Sequence, residues 1–321
     1  VAKKYTTEDL LASIKNRTLV PTSQITYTDE QLLSLADDEL RSLIIPMMLD
    51  VRESYFIAIK QQDLSGVDGS SQPKFTLPER AIGNKLYDVT VADSGGNEYS
   101  LPHYSRSDSH DNVLSYNNNE TLFGFTMQGD DIIVLDSLSG RSKLNLYYFR
   151  RPSTLVLPEN AARITSINTS ANEIVVSSLP STFAVEDEVD LVSATAPYQP
   201  LADDVVISSI SGTTVTLASL PKNSSTNELT LKVGDYLCVS GEAPVVQIPT
   251  DLYPSLAQAV AVKLLEGLGD TRGMQVAENK LIKMIEQGLA LISPRVEGER
   301  KIVISRNNIK SYLSYTYPRR Y

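Results

Sequence analysis

Apolar residues recur at helical spacing toward both ends of the chain and at alternate positions between them. Thr7, Glu8 and Asp9 cap a short helix predicted to run to about Asn16, with acids in the first turn where they complement the helix dipole. Thr28 and Gln31 match a capping box. Behind it Leu32, Leu35, Ala36, Leu40, Leu43, Ile44, Met47, Val51, Tyr55 and Ile59 keep a spacing of three or four, which predicts a long amphipathic helix over Thr28–Gln61. Pro46 interrupts it, so a kink or a break between two helices is expected there. Near the other end, Pro249 to Pro294 predicts a helical hairpin. Leu256, Val260 and Leu264 mark its first helix, with Thr250 or Asp251 as cap and Pro254 in the first turn. Ala277, Leu281, Met284, Gly288 and Leu291 mark the second, after a break at Gly267–Gly273.

From about Phe75 the period falls to two. Ala81 to Tyr87 reads as a helical turn; Leu86–Val91 and Glu98–Leu101 read as a hairpin about Asp93–Gly96. His103 to Asn119 is polar and loop-like, and strands follow at Phe123–Met127, Asp131–Leu135 and Lys143–Phe149. A two-copy repeat comes next. Ile164–Ile167 with Ile174–Pro180 parallels Ile207–Ile210 with Val215–Pro221, and each copy continues to a Val-x-Asp start, Val185–Asp187 and Val233–Asp235. Two such units can close a small β-barrel or sandwich. The expected fold class is therefore α+β: a helical core from the N- and C-terminal segments with a long inserted β region, a hairpin sheet plus the repeat-built barrel or sandwich. The divisions fall at 1–65, 75–157, 160–248, 249–294 and 295–321.

Charge sharpens this outline. The 321 residues carry a net charge of −10, yet Arg295 to Tyr321 holds seven Lys/Arg against two acids, so the tail is +5 and the rest −15. Ile164–Ile248 has ten acids against Lys222 and Lys232. Such a body repels phosphate and is not a conventional nucleic-acid binder. The longest apolar run, Leu43–Leu49, is too short to span a bilayer, and the first ten residues lack the apolar stretch of a secretory signal. With Cys238 as the one cysteine, folding in a reducing cytoplasm is expected and no membrane anchor is.

Candidate chemistry is sparse. His103 and His110, with Asp108 and Asp111, offer metal-ligand types on a polar loop. Cys238 sits in an apolar strand and reads as a small buried hydrophobe. Gly129-Asp130-Asp131 reads as a β-turn. Gly267, Gly269 and Gly273 have the wrong spacing and setting for a dinucleotide loop. No catalytic residue, metal or cofactor is assigned, and the chain is not expected to be an enzyme.

The terminal segment is the sharper signal. Lys301–Ser305 reads as a strand, and Tyr312, Tyr315, Tyr317 and Tyr321 alternate with basic residues. It has too few apolar side chains to offset the ordering of its own backbone, so it needs a neighbour to dock on. Strand addition through Ile302–Ile304 along another subunit would supply one.

Three passages resemble the head-to-tail adaptor (connector or neck) proteins of tailed bacteriophages: the acidic helix Thr28–Phe56, the strand and exit Asn145–Val156, and the closing Ile248–Asp270 with Leu291–Gly298. The resemblance implies a structural virion protein that forms a homo-oligomeric ring, of twelve subunits, beneath the portal protein. It implies further contact with a tail or nozzle protein, and DNA passing through the lumen without sequence-specific binding. Localisation would be the virion neck or tail after synthesis in the host cytoplasm. Arg295, Arg300, Lys301, Ile302, Val303, Ile304, Arg306, Tyr312 and Tyr315 would form the arm that binds the neighbouring ring. The alternative is a tail-associated carbohydrate- or receptor-binding protein using the β repeats, against which the absence of tryptophan counts. A third is a hydrolase whose site the motifs do not mark.

Overall fold

A computed structural model describes residues 5–18, 27–64, 73–104, 124–134, 141–196, 198–221 and 230–293. The chain is a mixed α+β protein with several antiparallel sheets. Helix α1 spans Thr7–Thr18. Its cap is Thr6, whose hydroxyl accepts from the Asp9 N–H at 3.3 Å. Thr7 is buried instead and donates to the Val156 carbonyl at 2.8 Å, tying the first helix to the middle of the chain. The capping box forms as its residue types dictate: the Gln31 N–H donates to Thr28 Oγ1 at 3.2 Å and the Thr28 N–H to Gln31 Oε1 at 3.0 Å.

Helix α2 covers Asp29–Glu39 and α3 Ile45–Arg52, joined by a π-helical turn at Leu40–Ile44. The Ile45 N–H donates back to Leu40 O, five residues away. That wide turn precedes Pro46, which has no N–H to give, and it divides the predicted helix into two α segments at the place where an interruption was expected. The helix stops at Arg52 rather than Gln61. Glu53–Phe56 form a 3₁₀ turn and Ile57–Asp63 form strand β1. The spacing of Tyr55 and Ile59 matched a helix by coincidence, and pairing with a strand overrides it.

The closing hairpin comprises α4, Tyr253–Gly267, and α5, Thr271–Ile292. No side chain caps α4; Thr250–Leu252 enter it as a 3₁₀ turn. Asp270 caps α5 by accepting from the Gly273 N–H at 2.9 Å, so Gly273 lies inside the helix and the break is shorter than expected. The α5 stripe holds at Ala277 and Gly288 but not at Leu291, which is 70% exposed while Ile292 is buried. Gly288 is needed for close approach: a Cβ there would lie 2.7 Å from Leu252 Cδ2. Leu10, Ile14, Leu32, Leu40, Ile44, Met48, Leu256, Val260, Leu264 and Ile292 share one apolar cluster with Phe56 and Phe149.

The strands are β2 (Lys74–Thr76), β3 (Ala81–Asp93), β4 (Glu98–Ser100), β5 (Phe125–Gln128), β6 (Asp131–Val134), β7 (Arg141–Arg150) and β8 (Thr154–Leu155), then β9 (Ala162–Asn168), β10 (Glu173–Val176), β11 (Glu188–Val192), β12 (Pro200–Ser211), β13 (Thr214–Leu217), β14 (Tyr236–Val239) and β15 (Glu242–Ala243). One sheet runs β1-β7-β3-β4, a second β2-β6-β5, and β8 pairs parallel with β15. Ala81–Tyr87 is part of β3, not a helical turn, because β7 supplies it with a partner; the register shifts between Ala81 and Leu86.

The remaining six strands close a barrel in the order β10-β13-β12-β11-β14-β9. Exchanging β9, β10 and β11 for β12, β13 and β14 reproduces the same ring of neighbours, so the barrel has an internal two-fold relation. The details follow it. The Asp187 carboxylate accepts from the Ala184 N–H at 2.6 Å, and Asp235 from the Lys232 N–H at 2.7 Å. The Glu186 N–H donates to Ile207 O at 2.9 Å, and the Gly234 N–H to Ile164 O at 2.8 Å. Both turns need a positive φ, 75° at Glu186 and 101° at Gly234. Ile164, Ile174, Val189, Leu191, Ile207, Val215 and Leu237 fill the interior.

Candidate functional site

Charged side chains accumulate where the barrel meets the β1-β7-β3 sheet. Arg80 stands at the turn before β3 and Arg150 at the end of β7. From the barrel come Asp190, in mid-β11, and Asp203 on β12. Opposite β11 the β12 register slips between Val205 and Ala202, a bulge that holds Asp203 and Asp204, the latter at φ 54°. Bulges of this kind re-aim side chains. Arg80 Nη1 lies 2.5 Å from Asp190 Oδ2 and 3.1 Å from Asp203 Oδ1, and Arg150 Nη1 lies 2.7 Å from Asp203 Oδ2. Arg80 Nη2 also donates to the buried Ser153 hydroxyl at 2.6 Å.

Asp190 is wholly buried. Beyond Arg80 it accepts from the Gly241 N–H at 3.0 Å and the Asp204 N–H at 3.2 Å. Burial pushes its carboxyl above the ordinary carboxylate range, while Arg80 pulls it back down. These groups satisfy one another, so the geometry is that of a joint between barrel and sheet. A second tie holds α2: both Asp37 carboxylate oxygens accept from the Leu155 N–H at 3.1 Å, and burial raises the Asp37 carboxyl to about 6.

Beside the joint lies a groove of about 1070 Å³, with Ile57–Gln61 on one wall and Gln199–Asp204 on the other. Another surface is the flank of α5 beside its buried stripe. Arg272, Val276, Lys280, Lys283, Gln287 and Leu291 are all exposed and follow one another at intervals of three or four, a single stripe along the helix.

The residues singled out in the sequence scatter. The arm residues Arg295, Arg300, Lys301, Ile302, Val303, Ile304, Arg306, Tyr312 and Tyr315 lie outside the described residues, as do Asp108, His110 and Asp111. His103 bridges to Phe125 at the start of β5, its ring 5.3 Å from the phenyl. Among the described residues no three His, Cys, Asp or Glu are grouped to hold a metal ion. Cys238 is buried in β14 and its thiol is pushed up by burial, as a small core hydrophobe would be. Gly129 and Asp130 turn between β5 and β6. Among the described residues no helix is long and apolar enough to cross a membrane. The sequence reading missed Arg80, Arg150, Asp190 and Asp203. One signal was available: Asp190 breaks an otherwise apolar strand, Val189-Asp-Leu-Val192, and a buried acid needs a cation. No protein-family model matches the chain, and comparison with curated proteins finds no match.

Proposed function

We propose that the chain is a structural virion protein, a ring-forming head-to-tail adaptor that joins the portal to the tail and lines part of the DNA channel. In this reading the terminal helices are the ring-building core, and the β region with its repeat barrel is an insertion into it. The observation that carries the reading is the stripe on α5. Val276 and Leu291 are 68% and 70% exposed on a helix that runs directly toward the basic arm. Covering each in a neighbour would contribute roughly 1.5–3 kcal/mol. A stripe that combines Arg272, Lys280 and Lys283 with the apolar Val276 and Leu291 suits contact with another copy of an acidic protein. The negative balance of the rest of the chain suits a channel wall that does not hold a duplex. The arm, Arg295 to Tyr321, reaches for the portal ring.

Deleting Arg295–Tyr321 should leave a folded protein that no longer joins portal-containing heads, scored by sedimentation of the reconstituted particles. Native mass measurement of the full chain should give a closed ring, and Val276→Glu with Leu291→Glu should shift that mass toward the monomer. Unchanged joining after the deletion would refute the role of the arm. A monomeric full chain would refute the ring.

A further inference from the structure

The groove beside the joint separates two strand edges. On one side β1 is the last strand of its sheet; β7 takes one edge and, among the described residues, no strand is paired along Ile57–Gln61 on the other. On the opposite side Pro200–Val205 of β12 pair with β11, while bonding on the β13 side begins only at Val206, whose carbonyl accepts from the Ala218 N–H. Each wall is a continuous run of residues rather than every second one, so backbone as well as side chains faces the space. An unpaired edge of this kind is a template for one more strand.

The lining also states what that strand should carry. Arg80 and Arg150 are engaged by Asp190 and Asp203. That leaves Glu79, Glu188 and Asp204 against Lys60, a negative balance. Asp204 takes a hydrogen bond from the Ser240 hydroxyl at 2.7 Å, which is no counter-charge. Ile59, 54% exposed on β1, adds an apolar spot. The occupant that fits is an extended segment with apolar residues in its centre and cations at both ends. The chain contains one outside the described residues: Arg300-Lys-Ile-Val-Ile-Ser-Arg306, whose centre has the β-branched residues that strands favour.

We propose that this groove receives the strand Lys301–Ser305 of a second copy of the chain, added alongside β1. The inference rests on the ring reading in taking its occupant from another copy. The contact is heterologous, arm to groove, so each copy gives a strand and receives one, and the series forms a ring when the rotation between copies closes. Residues 307–321, with Tyr312 and Tyr315, then extend past the receiving copy toward the adjoining ring.

Cross-linking of full-length chains tests it. One preparation carries Ile59→Cys, the other Val303→Cys, and a short bismaleimide joins thiols in the mixture; the native Cys238 is buried and stays silent. The expected result is a covalent dimer in the mixture and none in either preparation alone. Gln61→Cys, also exposed on β1, serves as a second position. Adding Glu188→Lys should cut the yield roughly fivefold, the size expected for reversing one exposed pair. No dimer at either position would overturn the proposal. So would a cross-link formed only when both cysteines sit in one chain, which would assign the groove to the chain's own arm. Native mass separates the two readings. A ring without the cross-link defeats the groove and leaves the adaptor standing, whereas a monomer defeats both.

Discussion

Replacing Arg80 by methionine keeps most of its volume and removes its charge. The loss falls on Asp190, which has no exposure to water and then keeps only the Gly241 and Asp204 N–H groups as partners. Breaking a buried pair by removing one member costs about 3–5 kcal/mol. The two backbone donors still solvate the carboxylate, and Asp203 still has Arg150 at 2.7 Å, so the expected cost is in the lower part of that range, about 3 kcal/mol. Asp190→Asn keeps an acceptor and should cost about 1–2 kcal/mol. The double variant should cost less than the two added together, by about 1–3 kcal/mol, because the buried charge is gone. Urea unfolding followed by far-UV circular dichroism gives all three values. A pH series adds an independent readout. Without Arg80 the folded-state pKa of Asp190 rises further above its unfolded value. A group raised in the folded state stabilises at low pH, and that contribution is lost as pH climbs through the folded pKa. The Arg80→Met deficit should therefore shrink on acidification. A cost under about 1 kcal/mol, or strictly additive effects with no pH dependence, would show that the pair is not the joint described.

Two further expectations concern single positions. Asp37 is raised from its ordinary value of 3.8 to about 6, so the stability it gives the folded state is lost as pH rises through that value. Asp37→Asn has no such loss; between pH 4 and 7.5 the difference in unfolding free energy should swing toward the variant by about 1–3 kcal/mol, allowing for solvent screening. A difference independent of pH would contradict this. The two-fold related turns of the barrel predict opposite signs. Gly234→Ala, at φ 101°, should destabilise by about 1–3 kcal/mol, whereas Glu186→Gly, at φ 75°, should stabilise by about 0.5 kcal/mol, compared by thermal unfolding. Equal effects at the two turns would argue against the strain assigned to Glu186.

Much of the local structure was written in short spans of sequence. Thr28 and Gln31 specify the start of α2 because both partners of the capping box lie within four residues. Leu256, Val260 and Leu264 specify the buried face of α4 because a helix places every fourth residue on one side. The Val-x-Asp turns could be read for the same reason, since Asp187 and Asp235 cap groups three residues before them. Tertiary structure decided wherever a distant segment competed. Ile57–Asp63 continue a helical pattern but become a strand because β7 offers a ladder of hydrogen bonds across their whole length. Pro46 interrupts the helix as expected, but through a π turn before it that rearranges the backbone bonds. The joint could not be read at all: Arg80 and Asp190 are 110 residues apart, and nothing in either neighbourhood names the other. A periodic pattern fixes which side of an element avoids water; only packing decides which buried charge meets which, since that depends on long-range closure rather than on spacing.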